Sequence, residues 1–348
     1  MTREGLPVLH IGGDPASCGQ AYGEALRDQM VGYYYRLRSA EARKLAFAQR
    51  CWPYLQRQAP ISARFMQGMA RGSGMPIQQI VTLTLYEELA HQPHCTALVA
   101  TGEATRGGHA VVGMNWDAGP DAFAWPGLLR LEMRHQPRLL AYHFPGLWVS
   151  AGINECGLAI GWTSTGMSPM VPPRPGVPTH VLLAELLREP DVSAALDRMQ
   201  QMRHAGPFIL LLADAAGHTA VIEASSHQLH IERNCASACR ANHYACAPLQ
   251  RATRQKLRRD GNAYSRYRER RMADMLQQFH GHITPAAAGR MLTDRQGKRP
   301  WVHQLPPGTA TAAPSMMTID SLVMECARRE LWTCRGGRIP GPWQKLGF

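Results

Sequence analysis

A cysteine opens the apolar run Cys95-Thr96-Ala97-Leu98-Val99-Ala100, and Gly107-Gly108 separates it from a second run that ends in Gly113-Met114-Asn115-Trp116-Asp117. Two such runs around a Gly-Gly turn read as a β-hairpin with the cysteine at its first residue and an aspartate at its last. If the bond between His94 and Cys95 were broken, Cys95 would carry a thiol and a free α-amine on one carbon. A thiol titrates at roughly 8.5 and an α-amine at roughly 7.7–8, so the amine can take the thiol's proton locally. That is a nucleophile with its own base. From position alone, a free cysteine at a strand start reads equally as a small buried hydrophobe.

Three further segments follow in order: Gly-x-Asn-Trp-Asp at 113–117, Asn-Glu-x-Gly-Leu-Ala at 154–159 and Ala-Asn-His at 241–243. With Cys95-Thr96-Ala97 they resemble the acyl-coenzyme A:6-aminopenicillanic acid acyltransferase family of self-processing cysteine amidases, relatives of penicillin V acylase and bile salt hydrolase. The resemblance runs from about His10 to the C-terminal strands. It implies an α+β fold, the four-layer αββα sandwich of N-terminal nucleophile hydrolases. It also implies self-cleavage between His94 and Cys95, leaving residues 1–94 as a helical pro-segment held in a heterodimer with catalytic residues 95–348.

The resemblance also suggests roles. Asp117 would hold and charge-tune the new amine, and Asn242 would donate to the oxyanion of a tetrahedral intermediate. Ser265-Arg266 resembles a pair that brings a guanidinium beside the sulfur, where Arg266 would lower the thiol pKa. Asn115 shares a strand face with Asp117 and, with Trp116, Thr163 and His243, is expected around the substrate. His243 reads equally as a satisfied structural histidine. The chain departs from the family in three places: His94 replaces a small glycine, Met114 replaces an arginine, and Thr163 or Ser164 stands where the relatives have an asparagine. The expected substrate is a small amide or N-acyl compound, with acyl-coenzyme A as an alternative donor, and no cofactor is implied.

The 348 residues can bury a core without staples. Nine scattered cysteines suggest reduced thiols, and neither a signal peptide nor a membrane-spanning run is visible, so a cytoplasmic protein with no membrane partner is expected. The formal charge of +12 is concentrated between Arg251 and Arg271. This reads as a solvated helix surface or a site for an anionic substrate; no nucleic-acid motif accompanies it. A competing reading is zinc at Cys235, Cys239, His243 and Cys246, but in a strand 239 and 243 share a face from which 246 points away. A basic binding protein without activity is a third.

The positioning elements are legible from periodicity. Helices are expected from Asp14-Pro15 through Met30, over 42–58 and 61–71, and from Pro76 to about Leu89; Gly19 and Gly23 would let another element approach the first closely. Strands follow at 95–101, 109–114, 127–133, 138–143, 147–152 and 157–162, then helices at 179–187 and 191–202. Strands return at 208–213, 219–223, 229–232 and 239–244. Helices at 263–279 and from Thr284-Pro285 precede strands at 316–319, 322–326 and 330–334.

Overall fold

Apolar runs without polar alternation form strands covered on both faces, and here they build two stacked sheets. The computed structural model describes residues 5–37, 39–90, 95–165, 172–252, 261–296, 302–305 and 316–348. Strand β1 (Val8–Gly13) precedes six helices, α1 (Pro15–Ala25), α2 (Arg27–Leu37), α3 (Glu41–Gln58), α4 (Pro60–Ser73), α5 (Ile77–Thr84) and α6 (Tyr86–Ala90). The hairpin β2 (Thr96–Gly102) and β3 (Gly108–Ala118) follows, then β4 (Gly127–Met133), β5 (Leu139–Phe144), β6 (Leu147–Asn154) and β7 (Ala159–Thr163). Next come α7 (Thr179–Leu186), α8 (Val192–Gln200), β8 (Phe208–Ala213), β9 (Thr219–Ala224), β10 (Leu229–Arg233) and β11 (Ser237–Arg240). The chain closes with α9 (Ala247–Ala252), α10 (Gly261–Gln278), α11 (Pro285–Leu292), β12 (Met317–Glu325), β13 (Glu330–Arg335) and β14 (Trp343–Leu346).

One sheet has the order β1-β4-β5-β6-β7-β8-β9-β10 and the other β11-β2-β3-β12-β13-β14. Side-chain alternation sorts the hairpin between two cores. Ala97, Val99, Val112, Met114 and Trp116 face the first sheet and share a cluster with Ile160, Trp162, Leu210 and Leu212. Leu98, Ala100 and Val111 pack instead under Met272, Met275 and Leu276 of α10 and Met291 and Leu292 of α11. Helices α1, α4 and α7 cover the outer side of the first sheet. The result is the expected order of layers: helix, sheet, sheet, helix. Among the described residues, no helix is long and apolar enough to cross a membrane.

One strand goes beyond the expectations and two expectations change. The first ninety residues are mostly helical, but ahead of the helices β1 lies parallel to β4 from Val8↔Leu128 to Gly13↔Met133. The strand expected over 239–244 ends at Arg240. Residues 317–325 form the single strand β12, with a bulge between Thr318 and Asp320. Asp320 and Ser321 look like a break in sequence but lie inside the sheet, where the Tyr142 hydroxyl donates to Asp320 and Ser321 donates to Asn115, both at 2.7 Å.

Gly19 and Gly23 meet Gly68 and Gly72, so the backbones of α1 and α4 touch. A Cβ added at Gly68 would overlap the Ala16 carbonyl oxygen, and one at Gly19 the Phe65 carbonyl oxygen. Neither obstacle is a side chain that can swing away. Gly68→Ala is expected to cost about 1–3 kcal/mol, the usual cost of overpacking, read as a lower urea midpoint. An unchanged midpoint would mean that the two helices can separate freely.

Candidate functional site

Cys95 immediately precedes β2, and the register Thr96↔Asn115 returns the end of β3, with Asp117, beside it. Both are closed to solvent, Cys95 being 4 % exposed and Asp117 2 %. Burial, with Asp117 second, pushes the Cys95 thiol up to about 12, against the backbone amide of Asp117 and the charge of Arg268. The Asp117 carboxylate accepts from Thr318 Oγ1 at 2.7 Å and from Gln304 Nε2 at 2.9 Å. Even so, burial dominates and raises it to about 7, with Arg268, Thr318 and Gln304 opposing.

One guanidinium joins these groups. Arg268 of α10 donates from Nη1 to the Cys95 carbonyl at 2.7 Å and to Thr96 Oγ1, and from Nη2 to Asn242 Oδ1 at 2.6 Å. Its Nη1 lies 3.9 Å from Asp117 Oδ2. Of the two ends of the Asn242 amide only the oxygen can accept from a guanidinium, so Arg268 settles which way that amide points. Asn242 Nδ2 then donates to the Ser164 carbonyl at 3.0 Å and to its hydroxyl at 3.2 Å.

The arginine expected here was Arg266. Two residues along a helix is a turn of about 200°, so Arg266 and Arg268 face nearly opposite ways. Arg266 instead lines a groove with His243 and Glu269. In a run holding arginines at 266, 268, 270 and 271, charge gives no hint of which one points inward.

The loop after β11 is held from both flanks. The backbone N–H of Asn242 donates to Ser265 Oγ at 2.7 Å, and that oxygen also bonds His243 Nδ1 at 2.7 Å. The Ala241 N–H donates to Glu269 at 2.9 Å, and His243 Nε2 lies 3.6 Å from the same carboxyl. Burial, then Arg266, Arg268 and Arg240, lowers His243 to about 4, so it is neutral at pH 7. The Thr163 hydroxyl donates to the Ala241 carbonyl, and Ser164 is the residue that meets Asn242.

Two other residues expected around a substrate make their contacts inside the fold. Asn115 donates to the carbonyls of Leu292 at 2.8 Å and Val302 at 3.2 Å, pinning the end of α11 to β3. Trp116 is enclosed between the sheets, its ring centroid 4.6 Å from that of Phe144 and 5.2 Å from that of Trp162. His94, the other half of the expected cleavage site, lies outside the described residues. Among those residues no three His, Cys, Asp or Glu side chains gather closely enough to hold a metal ion.

A family model for acyl-coenzyme A:6-aminopenicillanic acid acyl-transferase matches residues 105–339. The chain belongs to that family. The matched span holds Asp117, Asn242 and Arg268 and begins beyond Cys95. Membership makes the protein an amide-cleaving or acyl-transferring enzyme of the N-terminal nucleophile type. The fold matches a mutant of the conjugated bile acid hydrolase from Clostridium perfringens with a TM-score of 0.53 at 13 % identity, covering 73 % of this chain and 92 % of that one. Penicillin V acylase from Agrobacterium tumefaciens matches with a TM-score of 0.51 at 14 % identity, covering 73 % and 86 %. No curated protein matches by sequence.

Two measurements test this geometry. Asn115→Ala is expected to lower stability by about 1–3 kcal/mol through lost buried hydrogen bonds while leaving KM unchanged. A raised KM with unchanged stability would return Asn115 to the substrate. The second concerns pH. Burial raises Asp117, Asp320, Glu88 and Glu269 to about 7. It lowers His143, His180, His243 and His303 to about 4. Unfolded carboxyls ionise near about 4 and imidazoles near about 6.5. Between about pH 4.5 and 6.5 the folded chain holds extra protons on the carboxyls and lacks them on the histidines, so the two slopes oppose. Above about pH 6.5 only the carboxyls differ, and their protons are lost as the fold passes its own pKa, so stability falls up to about pH 8. The urea midpoint of the Cys95→Ala chain is expected to be nearly flat, then to decline across that window. A midpoint rising there would contradict the raised carboxyl values.

Proposed function

We propose that the protein is an autoproteolytically activated cysteine amidohydrolase that cleaves a small N-acyl amide through a thioester on Cys95. The observation that carries this reading is the meeting of Cys95, Asn242 and Asp117 around Arg268, from three separate elements. In the activation step the Cys95 sulfur attacks the carbonyl carbon of His94. The carbon–nitrogen bond breaks, the proton of the thiol passes to the freed nitrogen, and water opens the thioester. The new α-amine then serves as base.

In turnover the amine takes the thiol proton and the thiolate adds to the substrate carbonyl. The amine returns the proton to the leaving nitrogen, and water hydrolyses the acyl-enzyme. Asn242 has two amide N–H groups. Ser164 orients them, and after cleavage one serves the oxyanion. Such a donor is worth roughly 3–4 kcal/mol in a related use. Asp117 stabilises the ammonium form of the amine, and Arg268 holds the frame.

Transfer to an amine instead of water shares the same thioester. Arg254, Lys256, Arg258 and Arg259 of the basic segment lie outside the described residues; among the others, fewer cations are free for coenzyme A phosphates than the sequence suggests. Arg268 is buried in the site, and Arg271 is paired with Asp294 at 2.8 Å. Hydrolysis is therefore the favoured outcome.

The test is intact mass and amide turnover. Wild-type protein is expected as associated fragments of 94 and 254 residues. Cys95→Ala should stay whole and inactive, and Asn242→Ala should fold but lose about two to three orders of magnitude in kcat. An active wild type that remains one chain would sink the self-cleavage reading.

A further inference from the structure

Between edge strand β11 and α10 lies a groove of about 620 Å³ that includes none of Cys95, Asp117, Asn242 or Arg268. Its lining includes the polar Arg266, Arg270, His243 and Glu269 and the less polar Cys235 and Leu276. The charges do not cancel. Arg240 is engaged by Glu223 and Glu232, both at 2.7 Å, and so occupies Glu232, the other carboxylate in the groove. Glu269 accepts the Ala241 N–H and faces His243. Arg266 makes no ion pair among the described residues, and its Nε is buried without a hydrogen-bond partner. Leaving a donor of a charged group buried and unpaired costs free energy, and the side chain that carries it lines the groove.

We propose that this groove is a binding site for a small organic carboxylate with an apolar arm, its charge met by Arg266 and its arm lying against Leu276 and Cys235. A guanidinium presents a planar fork that suits a carboxylate, and Arg270 adds to the positive field. The wall that receives the ligand also holds the loop bearing Asn242, so an occupant would bear on the site beyond it. That consequence rests on the role proposed for Asn242; the binding itself does not.

The experiment uses the full wild-type chain with hexanoate, hexanol and inorganic phosphate as probes. The readout is the rate at which iodoacetamide labels Cys235, resolved by peptide mass spectrometry, so labelling at Cys95 does not interfere. Hexanoate is expected to slow Cys235 labelling saturably, and hexanol is not. Arg266→Gln should weaken the hexanoate effect by about tenfold or more, the loss of one charge-assisted hydrogen bond. Ala273→Phe, which fills the groove from an exposed helix position, should weaken it also at unchanged thermal stability. The proposal is overturned by no protection by hexanoate, by equal protection by hexanol, or by full protection retained in Arg266→Gln. Phosphate protecting as well as hexanoate would mean an anion site without an apolar arm, which also overturns the carboxylate assignment.

Discussion

A buried guanidinium holds this site together. Arg268 is 1 % exposed, and it touches the start of β2, the loop after β11 and the end of β3 at once. Taking such an ion out of water costs several kcal/mol, and one partly ionised carboxylate returns only part of that. Two full charges about 4 Å apart attract by about 4 kcal/mol at an effective dielectric of about 20. Burial still wins at Asp117, whose pKa rises despite the arginine. The balance is met by hydrogen bonds to two neutral carbonyl oxygens and a hydroxyl, which tie the hairpin, the helix and the loop into one frame.

The same burial accounts for the chemical state of the uncut chain. A thiol pushed up to about 12 is almost wholly protonated at neutral pH and is a poor nucleophile toward an outside substrate. Its neighbours add to this, since Asp117 opposes a second negative charge. A new ammonium at Cys95 would change both terms. It supplies the positive charge that Asp117 lacks on that side, and its pKa near about 8 puts a proton acceptor beside the sulfur. On the proposed reading, cleavage converts a closed electrostatic site into a working one without moving its frame.

Much of this was legible in sequence because it depends on local pattern. The hairpin from Cys95 to Asp117 followed from two apolar runs around Gly107-Gly108, and the approach of another element to α1 from Gly19 and Gly23 four apart. Arg268 was not legible, because helical phase within a run of arginines is set by what packs on α10, namely the layer beneath Met272, Met275 and Leu276. Asn115 and Trp116 share a motif with Asp117 but not its surroundings. Their neighbours, Leu292, Val302 and Phe144, come from distant parts of the chain. Nor does composition show that Asp320 and Ser321 sit inside a strand, since their partners Tyr142 and Asn115 belong to other strands.

The N-terminal segment matters for the same reason. Strand β1 makes the only parallel pairing among the described strands, and a parallel partner needs a long crossover, here the six helices and the β2–β3 hairpin that separate β1 from β4. Those helices bury Tyr22, Phe65, Met66 and Leu83 in the same core as the sheets, and the Tyr22 hydroxyl donates to the Phe144 carbonyl at 2.8 Å. A single backbone cut before Cys95 removes none of these contacts. It releases only the constraint between α6 and β2, the junction nearest the nucleophile. On the proposed reading, association of the two segments after cleavage follows from where the core lies.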